Sequence, residues 1–67
     1  MWVLNQEQKT AIKVDRLSIR KGSYGNEWII TSHGKVLGVY LTEEKATLVL
    51  EAFLEAIENN QKIFKMF

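Results

Sequence analysis

The chain has 67 residues, with nine Lys and Arg against eight Asp and Glu, one histidine, no cysteine and no proline. That length is close to the lower limit for a single self-sufficient core, and the lack of cysteine beside one lone histidine closes the disulfide and zinc routes to extra stability. A hydrophobic share of 46% and near-balanced charge argue against disorder and against the strongly basic composition of a dedicated nucleic-acid binder.

No apolar run is long enough to span a bilayer, and no basic-then-apolar leader opens the chain. The expectation is one soluble, cytoplasmic domain over residues 1–67, with no membrane contact, held by tight packing or by a second copy of itself.

In chain order, Met1-Trp2-Val3-Leu4 reads as a short first strand. Asn5 to Lys9 is a polar connection of hairpin length. Ala11 to Val14 resumes strand character with Ile12 and Val14 on one face, whereas Leu17 and Ile19 have the opposite parity. A bulge or bend between Asp15 and Arg16 accounts for that reset, so the second strand is expected to be broken or bent there.

Lys21 to Asn26, with two glycines and an asparagine, is the clearest loop. Strands over Glu27–Ser32 and Lys35–Leu41 then flank His33-Gly34, a two-residue hairpin turn. If Ser32 opposes Lys35, then Ile30 opposes Leu37 and Trp28 opposes Val39. Across the preceding loop, Arg20 would oppose Glu27, Ile19 would oppose Trp28, and Leu17 would oppose Ile30. Directly opposed residues share a face, so one face collects the large apolar side chains of three strands. The other face carries Ser18, Arg20, Ile29, Thr31, Val36, Gly38 and Tyr40.

Thr42 has the chemistry of a helix N-cap, and Glu43 and Glu44 suit the positive end of the dipole. A helix rich in Ala, Leu and Glu follows from Lys45 to about Glu58, stopped by Asn59-Asn60. The tail from Gln61 to Phe67 is compatible with helix, strand or irregular chain. The fold class is therefore α+β: an antiparallel β-meander of three to four strands, then one C-terminal helix packed on one sheet face (ββββα). The expected core is Trp28, Ile30, Leu37, Val39, Leu41, Val49, Leu50, Phe53 and Ile57.

On a helical wheel Ala46, Leu50, Phe53 and Ile57 form the central stripe, but Leu48 and Ala52 widen the apolar arc to roughly 240°, more than twice what one sheet face covers. Two coverings are open. The tail could fold back with Ile63, Phe64, Met66 and Phe67, or a second chain could meet Leu48, Ala52, Phe64 and Phe67 in a homodimer. The free edge of Lys35–Leu41 offers another self-association contact by strand addition.

No catalytic constellation can be assembled. Ser18, Ser23 and Ser32 lack a spaced histidine and acid, and the helix carboxylates fall on its solvent side. Gly22-Ser23-Tyr24-Gly25 lacks the lysine and following helix of a phosphate loop. His33 reads as a turn residue, and no enzyme activity, cofactor or metal is expected. Arg16, Arg20, Lys21, Lys35 and Tyr40 form the one basic and aromatic grouping, which suits weak single-stranded nucleic-acid binding. A protein partner docking on Ile29, Val36 and Tyr40 is the competing use of that face.

The run Leu37-Gly38-Val39-Tyr40-Leu41-Thr42-Glu43-Glu44-Lys45-Ala46 resembles a strand-to-helix pattern of small uncharacterised proteins of Gram-positive bacteria and their phages, Leu-Gly-x-Tyr-x-Thr/Ser-x-Glu-x-Ala. Trp2-Val3-Leu4 through Ile19 is also similar to their N-terminal strands. The resemblance implies a phage or prophage setting and an unassigned function, since the pattern marks a junction and carries no chemistry. Coactivator-type single-stranded DNA-binding domains are similar in topology alone, and this chain lacks their dense basic strand surface. Taken together, the expectation is a non-enzymatic protein-interaction module, homodimeric, with nucleic-acid binding as the alternative.

Overall fold

Backbone pairing in the computed structural model, which describes Met1–Phe67, divides the strands into two three-stranded sheets around one helix. The expected meander is β3 (Ser18–Lys21), β4 (Trp28–Ser32) and β5 (Lys35–Tyr40), all antiparallel. The first two strands do not extend it. β1 (Trp2–Leu4) and β2 (Ala11–Lys13) form a separate hairpin, and β6 (Ile63–Lys65) adds to β1 in parallel, giving the order β2-β1-β6. The parity break at Asp15 and Arg16 is thus a full break, because β2 and β3 belong to different sheets.

The helix α1 (Glu43–Glu58) has the ends its sequence promises. Thr42 Oγ1 accepts from the Lys45 amide at 3.1 Å, satisfying one of the orphan first-turn donors. At the other end Asn60 takes φ 56°, and the amides of Asn60 and Gln61 donate back to the carbonyls of Ile57 and Ala56. That pair of bonds is a Schellman motif, and it turns the chain back so that residues 63–65 reach β1.

His33 and Gly34 both have positive φ, 51° and 78°, as a tight hairpin turn of this type requires. Ser32 opposes Lys35, as expected, but the ladder then changes register. Leu37 is an extra residue, so Ile30 opposes Gly38, Ile29 opposes Val39, and Trp28 opposes Tyr40. One inserted residue inverts every side chain beyond it. Tyr40 is consequently in the core at 5% exposure, and Val39 is outside at 41%. Both placements correct the sequence-based register.

Across the other loop the register differs by two residues. Ile19 opposes Ile30 and Lys21 opposes Trp28, with the Gly22 amide donating to the Glu27 carbonyl at 2.7 Å to close the connection. A two-residue slip preserves faces, so the hydrophobic pattern is blind to it and the loop closure decides.

The core joins both sheets to the helix. Val3 and Phe64 come from the β1 sheet, Ile30, Leu37 and Tyr40 from the meander, and Ala46, Val49, Phe53 and Ala56 from α1, with Val14 and Met66, just outside β2 and β6, completing it. Phe53 and Phe64 meet edge-on, with centroids 5.6 Å apart and planes at 78°. The helix is rotated from the expected orientation, so Ile57 is exposed and Leu50 only half-buried. Trp28 is likewise half-buried against the core. Leu41, expected inside, is 81% exposed because the chain has left β5 and is turning into the helix.

Gln6 locks the two sheets together. Its amide donates to the Leu37 carbonyl, and its side-chain oxygen accepts from the Val39 amide, both at 2.8 Å. The β1–β2 loop that presents it is itself shaped by Asn5, whose Oδ1 accepts from the amides of Lys9 and Thr10. Gln6 therefore occupies the edge of β5 just where the bulge leaves polar groups pointing outward, and that stretch is closed to strand addition. Gln6→Ala should lower the unfolding free energy by about 1 kcal/mol. A urea titration should show the midpoint falling with an unchanged slope, whereas an unmoved midpoint would mean water serves Val39 as well as Gln6 does.

Candidate interaction surfaces

The fold gives the residues singled out for self-association unequal exposure, with Leu48 and Ala52 one turn apart on α1 and the Phe64 and Phe67 rings 6.4 Å apart. Leu48 lies on the solvent side of α1 at 57% exposure, Phe67 is exposed beyond β6, and Ala52 is half-buried against the core. Phe64 is 7% exposed and packed on Phe53, so it is a core residue and has no surface to offer. The tail returns as a strand beneath the helix, reaching Phe53 and leaving Leu48 uncovered. Leu54 and Ile57 are exposed on the other flank of the helix. The wide apolar arc is therefore only partly covered within the chain.

The basic grouping changes more. Arg16, Arg20, Lys21 and Lys35 are all exposed, but Tyr40 has turned inward with its ring over Gly38. A Cβ at Gly38 would lie 2.6 Å from Tyr40 Oη. Burial pushes the Tyr40 phenol above its ordinary pKa, and its hydroxyl, like that of Ser32, has no hydrogen-bond partner in the chain. The exposed cations attract any polyanion, and the one exposed ring near them is Tyr24, 84% exposed on the loop that follows Lys21.

A surface that sequence inspection missed is the outer face of the β1 sheet. Val3, Ile12 and Phe64 point inward, so the alternate residues point out. One cross-strand row reads Lys13, Trp2, Ile63, and the next Ala11, Leu4, Lys65. Trp2 is 49% exposed and Ile63 57%, and the three strands contain no carboxylate. The signal was present as alternation in Trp2-Val3-Leu4 and Ile63-Phe64-Lys65, but only the parallel pairing of β6 with β1 brings these residues side by side.

Charge is sorted between the elements. The helix carries five of the eight acidic residues and one of the nine basic ones. Glu44, Leu48, Glu51, Glu55 and Glu58 follow one another at helical spacing along its solvent side. The only ion pair within the chain is His33 Nε2 with Asp15 Oδ1 at 3.3 Å, both groups exposed. Every lysine, every arginine and every helix glutamate is unpaired.

No group of three or more His, Cys, Asp or Glu side chains converges as a metal site would require. No helix is long and apolar enough to cross a membrane. Comparison with protein-family models, with curated proteins and with solved structures finds no significant match.

Proposed function

We propose that the protein is a small non-enzymatic interaction module that works by self-association, homodimeric in its smallest form, in a bacterial or phage setting. The observation that carries this is Leu48, a large apolar side chain 57% exposed on the solvent side of the only helix, in a chain that buries 13 of its 67 residues. A domain with so small a core gains stability by mass action when a second copy covers such a surface. The grouping of Leu48 with exposed helix carboxylates, which are solvated and make no internal contacts, fits a contact surface better than a catalytic one.

The test is sedimentation equilibrium from low to high micromolar concentration, on the wild type and on Leu48→Glu. Wild type should associate with rising concentration. Leu48→Glu should remain monomeric, and its thermal midpoint should equal that of wild type at dilutions where both are monomers, because it alters an exposed position, and fall below it where wild type associates. A wild-type monomer at the highest concentration would overturn the proposal.

A further inference from the structure

Deepening that self-association, and resting on it, we infer that the contact is heterologous: the acidic helix side of one copy docks on the Trp2–Ile63 sheet face of the next. The sheet face is an apolar centre, Trp2 beside Ile63, with Lys13 next to Trp2 on one side and Lys65 in the adjoining row. The helix side is its complement, with Leu48 among Glu44, Glu51 and Glu55. Leu48 would seat on Trp2 and Ile63 while the glutamates meet the lysines.

Charge selects this pairing over the two symmetric ones. A two-fold helix-to-helix contact would set two glutamate stripes against each other, and a two-fold sheet contact would oppose two lysine faces. Like charges held together at an interface are strongly disfavoured. Within the helix, Glu51 and Glu55 already repel at i,i+4 spacing with no cation to relieve them. Helix on sheet, by contrast, brings opposite charges together with apolar surface on both sides.

A heterologous contact leaves each end copy with one unused face, so association adds copies in line or closes into a ring and does not stop at a two-fold pair.

The experiment uses the full chain in three forms: wild type, a helix variant with Glu51→Lys and Glu55→Lys, and a sheet variant with Lys13→Glu and Lys65→Glu. All four positions are exposed, and circular-dichroism melts confirm that each form is folded before sedimentation. Wild type should associate, more weakly as salt rises. Each variant alone should associate at least tenfold more weakly, and an equimolar mixture of the two should recover assembly, because each reversed face then finds its opposite.

If the sheet variant alone associates like wild type, the sheet face is not in the contact and the inference is overturned while self-association stands. The same holds if both variants are monomeric and the mixture stays so. A wild-type monomer at high micromolar concentration overturns both the inference and the proposal beneath it.

Discussion

Phe53→Ala should lower the unfolding free energy by about 3–5 kcal/mol, enough to leave much of the population unfolded at room temperature. Phe53 is 1% exposed at the centre of the helix face, and its ring is the meeting point of α1 with β6 through Phe64. Truncation removes the transferred apolar area and the edge-on aromatic contact, and leaves a cavity that a short helix flanked by two sheets cannot close. A domain of this length has a total stability of roughly 3–10 kcal/mol, so the loss is comparable to the whole. Guanidinium denaturation of Phe53→Ala beside Phe53→Leu is the measurement. The leucine variant should lose far less, since it refills most of the volume. A loss below about 1 kcal/mol for alanine would mean that β6 and the helix are not held together through this ring.

Gly38→Ala should be the most damaging of the small substitutions, with a loss of about 1–3 kcal/mol. Its Cβ would lie 2.6 Å from Tyr40 Oη, 2.9 Å from Cε2 and 3.0 Å from Cζ, and the ring is enclosed by the core. Alternation puts Gly38 and Tyr40 on the same face two residues apart, and the bulge turns that face inward, so the ring lies along the strand over the space a side chain would fill. The paired variant Tyr40→Leu should absorb most of the effect of Gly38→Ala, giving a coupling above about 0.5 kcal/mol in a double-mutant cycle. Additive losses would show that Gly38 is needed for the backbone of the bulge and not for the ring.

Tyr40→Phe adds an independent check. The hydroxyl is buried without a partner, so its removal should be neutral or stabilising by up to about 1 kcal/mol. It should also change the alkaline response. Burial raises the phenol's pKa above the ordinary 10.0, which means the folded state holds the proton more tightly than the unfolded state. That contribution to stability is complete below the unfolded pKa and is lost as pH rises through the raised folded value. Tyr40→Phe should therefore flatten the decline in stability above about pH 10. An identical decline in both proteins would place the phenol in contact with water.

Local and long-range determinants of this fold part company at particular residues. Thr42, Asn59-Asn60 and His33-Gly34 act through hydrogen bonds and dihedral angles of their immediate neighbours, so the helix ends and the β4–β5 turn were legible in the residues themselves. That the apolar arc is too wide for one sheet face was legible too, but not whether the tail covers Leu48, which the structure leaves exposed. Phe64 was not. Whether a terminal phenylalanine is core or surface depends on which strand the tail joins, and that partner, β1, is about sixty residues away along the chain.

The residues alone determined the order of a three-stranded antiparallel meander followed by one capped helix, since alternation, turn chemistry and capping are properties of adjacent positions. Only the tertiary structure decided that β1 and β2 leave the meander, that β6 returns to pair with β1, and that Leu37 enters the ladder as an extra residue. The physical reason is that a strand's alternation specifies a face but not a neighbour. A bulge, a two-residue slip or a change of sheet leaves the local pattern intact, and the choice falls to which arrangement closes the core and satisfies the edge, here with Gln6 on β5 and Phe64 under Phe53.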